Sequence, residues 1–224
     1  MNVTEKIAGI LTLLICLLPC AQVSAETVTV APVGDYATID TQRTNQALQV
    51  FAKGTPLEKR AAADEIVAHS ENYAPPVFYA LSQALFEDGK QDEGAFWFYA
   101  GQLRARFDAN RCADKTAKSA VSGLNNRYGP LINQYMFKDV SKLEALIPEV
   151  VAWDRKTPHS YDHRWINLHG MAAMMAGLNA KSGLAQPSSA MSLPQEQWER
   201  IAEQTRLEYM RGFQEAMAAM KNKQ

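Results

Sequence analysis

Residues 75–108 read PPVFYALSQALFEDGKQDEGAFWFYAGQLRARFD. Val77, Phe78, Leu81, Ala84 and Leu85 recur at three- and four-residue steps, the spacing of one helix face. Gly89 follows, able to take the left-handed conformation that closes a helix. Asp92 and Glu93 then stand where the positive first turn of a second helix favours carboxylates. That second helix carries Phe96, Trp97, Phe98 and Tyr99 in a row, with Leu103 and Phe107 beyond. Four successive aromatics circle a helix, so it has to be covered on most sides. A chain built around such a helix needs other helices to wrap it, and the expectation is an all-α domain.

The remaining pattern agrees. Residues 41–53 carry Ala47, Leu48, Val50 and Phe51 before Gly54 stops them. Thr55, Pro56 and Glu58 form a helix start: a capping hydroxyl, a proline at the first position and a carboxylate three after the cap. Residues 108–127 read as a weaker helix broken at NNRYGP, and 130–137 as a short apolar piece. Residues 139–158 carry a strong apolar face with a kink or break expected at Pro148. Residues 164–178 read as a further helix, with Asp162 as its N-cap. A soft Ser-, Ala-, Gly- and Pro-rich loop is expected at about 179–192. The last helix is expected to begin at Ser192, with Gln195 as capping-box partner. Its stripe of Trp198, Ile201, Ala202, Thr205, Tyr209, Phe213, Met217 and Met220 faces the core, and Glu199, Glu203, Arg206 and Arg211 take the opposite side.

Within 74–107, Phe78, Leu81, Ser82, Leu85, Gly89, Gly94, Phe98 and Gly101 fall as large, large, small, large, turn, small, large and small. In this order the pair resembles a tetratricopeptide or Sel1-like repeat, whose period is about 34 residues. The resemblance implies antiparallel helical hairpins, in which a small residue on one helix admits a bulky one from the other. It departs at Arg106, where the family often has proline, and no second copy follows, with Lys115 where a large apolar residue is expected. The expectation is therefore one such hairpin inside a wider helical domain.

The start of the chain bears on compartment. Lys6 precedes an apolar run over 7–18, Pro19 ends it, and Val23 and Ala25 stand at the –3 and –1 positions of a signal-peptidase site. Residues 1–25 are read as a cleaved signal, with Glu26 as the first residue of a periplasmic or secreted protein of bacterial type. Lipid attachment at Cys20 is the minor alternative. Residues 26–40, where Thr and Val alternate before Pro32 and Gly34, are expected to form an edge strand or extended arm. Cleavage leaves about 200 of the 224 residues as a single domain over 41–224, with no integral membrane segment. Of three cysteines only Cys112 then remains, so no internal disulfide is expected. A formal charge of –1 makes no electrostatic case for nucleic acid.

Three of the four histidines, His159, His163 and His169, fall in TPHSYDHRWINLHG. With Asp162 they offer metal-ligand chemistry, but their spacing fits no metal signature, and Pro158, Ser160 and Tyr161 favour a capped turn. No nucleophile elbow, phosphate loop or haem motif is present. The reading is a noncatalytic protein without metal or cofactor that binds another protein. An immunity protein against an envelope-targeted toxin and an envelope-assembly accessory factor both suit a small exported helical chain. The candidate contact residues are Tyr73, Tyr79, Trp97 and Arg104, types enriched at binding hot spots, with core filling as the plainer reading for each. The alternative class is a metal-dependent or cysteine hydrolase using the 159–169 region or Cys112.

Overall fold

The computed structural model describes residues 31–184 and 190–222. These form α1 (Gln42–Lys53), α2 (Pro56–Ala68), α3 (Pro75–Glu87), α4 (Gln91–Arg111), α5 (Ser119–Met136), α6 (Val140–Lys156), α7 (Met171–Lys181) and α8 (Trp198–Lys221). Short 3-10 turns join them at Gly34–Thr38, Ser70–Asn72, Lys115–Lys118, His163–His169 and Gln195–Gln197. No strand occurs among the described residues, and the protein is all-α. No helix among them is long and apolar enough to cross a membrane. The expected signal at 1–25, the alternative at Cys20, residues 26–30 of the expected arm and 185–189 of the expected loop lie outside the described residues.

Helix α4 is the axis. It packs against α3, α5, α6 and α8, and is buried nearly from end to end. The α3–α4 hairpin closes at Gly89, whose φ of +84° is in the left-handed region. Small residues let the two helices approach. A Cβ on Gly94 would meet the Ser82 carbonyl oxygen at 2.8 Å, and one on Gly101 would meet Phe78 Cβ at 3.1 Å. Ser82 Oγ donates to the Gly94 carbonyl at 2.6 Å, which satisfies a buried hydroxyl inside this contact. On the outer side, α2 begins with the capping box read from Thr55 and Glu58.

Elsewhere the boundaries differ from expectation. Helix α5 runs straight through Gly129 and Pro130, where a break was expected. Proline deprives the carbonyl four residues back of its donor. Asn126 and Pro130 are both exposed, so that carbonyl belongs to a solvated stretch, while Gly129 lets Phe98 Cζ come to 3.1 Å of a Cβ position. Pro148 likewise lies inside α6, with Glu144 and Pro148 both exposed. The predicted helix over 164–178 is two elements, because the chain turns at Gly170. A Cβ there would fall 2.2 Å from Asp114 Oδ2, which accepts from Ala172 N at 2.9 Å.

Helix α8 starts six residues later than expected. Ser192 does not cap it. Its neighbours pair with the end of α4, Ala113 N donating to Met191 O at 3.0 Å and Leu193 N to Arg111 O at 2.8 Å. This isolated bridge ties the start of the last helical segment to the core. At the other end of the chain, 34–38 is a 3-10 turn in place of an extended arm. It is fastened where Asp40 N donates to Asp162 Oδ2 at 3.0 Å and Arg164 Nη2 to Thr38 O at 3.2 Å.

Candidate functional site

A helix covered on most sides leaves little water for the charged residues on its covered faces. Helix α4 nevertheless carries Arg104, Asp108 and Arg111, all buried. Each therefore requires a partner inside the fold. Arg104 Nε donates to Asp154 Oδ1 of α6 at 3.1 Å, and its Nη2 to Thr157 O at 2.8 Å. Its Nη1 has no acceptor, but the guanidinium lies 4.3 Å from the Trp153 ring centre, where cation–π attraction offsets the loss. Asp154 also receives Arg206 Nε of α8 at 2.9 Å and lies 3.0 Å from His159 Nε2. One carboxylate thus ties α4, α6, α8 and the start of the histidine stretch together. Burial alone would push its carboxyl up; the His159 hydrogen bond and charge, with the two guanidiniums, outweigh it and hold it at about 2.

Asp108 forms a second knot one helical turn on. Its Oδ1 accepts from Arg111 Nη2 at 2.6 Å, and its Oδ2 from Tyr161 Oη at 3.0 Å and Trp165 Nε1 at 2.7 Å. Arg111 is sandwiched by Phe107 and Trp198, at 4.4 and 4.7 Å from their ring centres. TPHSYDHRWINLHG is therefore a connection pinned to α6 at His159 and to α4 at Tyr161 and Trp165. Its three histidines have separate partners. His159 takes Asp154, His163 Nε2 lies 2.8 Å from Ser192 Oγ, and the His169 ring lies edge-on to Trp165. Burial, then the Arg111 charge, holds the His163 imidazole below its usual pKa. No group of three or more His, Cys, Asp or Glu side chains among the described residues is placed to hold a metal ion. The Cys112 thiol is buried and donates to Asp114 O at 3.4 Å; burial pushes its pKa up, away from the thiolate a nucleophile needs.

The four candidate contact residues build the interior. Tyr73, Tyr79, Trp97 and Arg104 are 7%, 0%, 6% and 0% exposed. Tyr79 Oη donates to Asn125 Oδ1 at 2.7 Å, and Trp97 packs among Phe78, Phe96 and Trp153. Their size serves the core around α3 and α4, and all four are buried.

The pinned connection does form one wall of a surface groove. Trp165, Leu168 and His169 face Thr44, Asn45 and Leu48 of α1 and Ala120, Leu124, Arg127 and Tyr128 of α5, across a volume of about 660 Å³. Asp108 positions this wall by accepting from the Trp165 indole nitrogen. The lining is mainly apolar, Arg127 brings a positive charge, and no carboxylate belongs to it. Three separated segments supply these residues, so no local motif announces the groove. The ionic knots did leave a signal: Arg104, Asp108 and Arg111 stand four and three residues apart on a helix whose aromatics already require full coverage. Arg206, expected on the solvent side of α8, belongs with them. Comparison with protein-family models, curated proteins and solved structures finds no match to this chain.

Proposed function

We propose that this is an exported, noncatalytic protein that holds a segment of another protein in the groove between α1, α5 and residues 163–169. The supporting observation is that groove's makeup: a preformed apolar wall, a cation at Arg127 and no competing carboxylate. Such a lining suits a segment that presents an apolar side chain next to an Asp or Glu. The partner that best fits a small exported helical chain is a toxin acting in the envelope, with this protein as its immunity factor; an envelope-assembly component is the neighbouring possibility of the same class. The α3–α4 hairpin, similar to a tetratricopeptide or Sel1-like unit, is the scaffold in this reading, with α5 packed on it to carry the groove.

The test is genetic and biochemical. A strain lacking the protein should become sensitive to a toxin encoded beside it, and the purified pair should bind one to one. A deletion strain indifferent to every neighbouring toxin would remove the immunity role. A purified pair that binds equally well after the groove is filled would remove the groove.

A further inference from the structure

Helix α7 presents a face that the other described residues leave exposed. Met171, Met174 and Met175 are 49%, 43% and 47% exposed. They stand at positions i, i+3 and i+4, so Met174 and Met175 each neighbour Met171 across one turn, with Cβ atoms about 5–6 Å from its own. A thioether side chain is long and flexible enough to bring sulfur from each of these positions to a common centre. We propose that Met171, Met174 and Met175 form a surface site for Cu(I), held by three thioether sulfurs.

The chemistry selects this ion. Thioethers are soft, neutral ligands that favour Cu(I), whereas Mg²⁺, Ca²⁺ and Mn²⁺ require oxygen donors. The helix MAAMMAGLNAK contains no carboxylate, imidazole or thiol to recruit a harder ion. The site would lie over the first turn of α7, whose positive dipole end repels a cation. Asp114 offsets that charge: its Oδ2 accepts from Ala172 N at 2.9 Å. Thr116 Oγ1 accepts from Met171 N at 2.8 Å, so both ends of the Asp114 turn fix the platform. His169 lies outside the set, because its ring packs against Trp165 and lines the groove. Leu178 continues the apolar stripe at 37% exposure, so a docking face for a partner protein is the competing assignment. Methionine serves docking too, but three soft thioethers within one turn, with no harder donor on the helix, favour the metal.

The test uses the chain purified from the envelope fraction, without oxygen, titrated with Cu(I) held by a chromophoric chelator. Expected is withdrawal of a single Cu(I) per chain, with a sulfur-only shell in X-ray absorption. The triple variant M171L/M174L/M175L keeps side-chain size and the apolar stripe but has no thioether on this face. It should lose Cu(I) binding while its circular dichroism and melting stay unchanged. Failure of the native chain to draw Cu(I) from the chelator overturns the site. So does a triple variant that binds like the native chain, because the metal would then rest on other donors. Shielding of the stripe by an added partner protein, with no copper uptake, would assign it to docking instead.

Discussion

The α3–α4 hairpin and the 157–170 connection are held in the core by opposite chemistry. The hairpin is held by shape: glycines at 94 and 101 admit Phe86, Phe78 and Tyr79, and the buried Ser82 hydroxyl inside that contact is satisfied within it. The connection is held by charge: Asp154 and Asp108 of the interior gather two arginines, a histidine, a tyrosine and a tryptophan from distant parts of the chain. Shape tolerates many apolar sequences of the right size. A buried carboxylate among arginines does not, because removing it strands their charges. The first kind of contact builds a generic helical layer. The second fixes one wall of the groove in a single position.

Removing the Asp154 carboxylate should therefore cause the largest loss. Asp154→Ala leaves Arg104 buried without a carboxylate and Arg206 with Glu203 alone, and urea unfolding should register about 3–5 kcal/mol. A loss below that of a common surface substitution would show that charge is not what holds the connection.

Acid should separate the two regions next. The Asp154 carboxyl is held at about 2 in the folded protein, below its unfolded value of about 4. A depressed folded value stabilises the protein above the unfolded pKa, and the gain disappears as pH falls from about 4 to about 2. Across that window the native chain should lose about 2–3 kcal/mol more than Asp154→Asn does. Parallel acid-unfolding curves for the two proteins would contradict the assignment.

The hairpin should answer to volume. Gly101→Ala places a methyl group 3.1 Å from Phe78 Cβ and 3.2 Å from the Tyr79 ring. It should cost about 1–3 kcal/mol by overpacking, with no change in the slope of the acid curve. The smallest effect belongs to Arg155→Ala. Arg155 pairs with Glu203 at the surface, where both side chains are substantially exposed, and thermal melting should shift by the equivalent of less than about 1 kcal/mol.

The same division explains what could be read from the amino-acid sequence. The hairpin was legible because its information is local: helical spacing, a turn glycine and alternating size lie within one stretch, as does the capping box at Thr55 and Glu58. The core-facing stripe of α8 was legible for the same reason, Ile201, Ala202, Thr205, Tyr209 and Met217 all being buried. Arg206 was misplaced because charge normally marks a solvent face, and its partner Asp154 is 52 residues away. The uninterrupted run of α5 was hidden because Gly129 and Pro130 break helices locally, while tertiary contact with Phe98 favours continuity here. Tyr73, Tyr79, Trp97 and Arg104 share the composition of a binding surface and of a core alike, and composition alone does not separate the two. The groove stayed invisible because α1, α5 and 163–169 meet only in the folded chain.

Gly123 provides the most direct test of the proposed binding role. It lines the groove from α5, and a Cβ added there meets nothing within 4 Å. Gly123→Trp should fill the groove without touching the core, leaving stability unchanged or raised by a few tenths of a kcal/mol through helix propensity. Gly212 in α8 is equally open and lies off the groove, so Gly212→Trp is its control. Both proteins should be titrated calorimetrically against the purified product of the toxin gene proposed to neighbour this one, alongside the native chain. The account predicts one-to-one binding by the native protein and Gly212→Trp, and loss of binding by Gly123→Trp. Equal affinity for all three would contradict it.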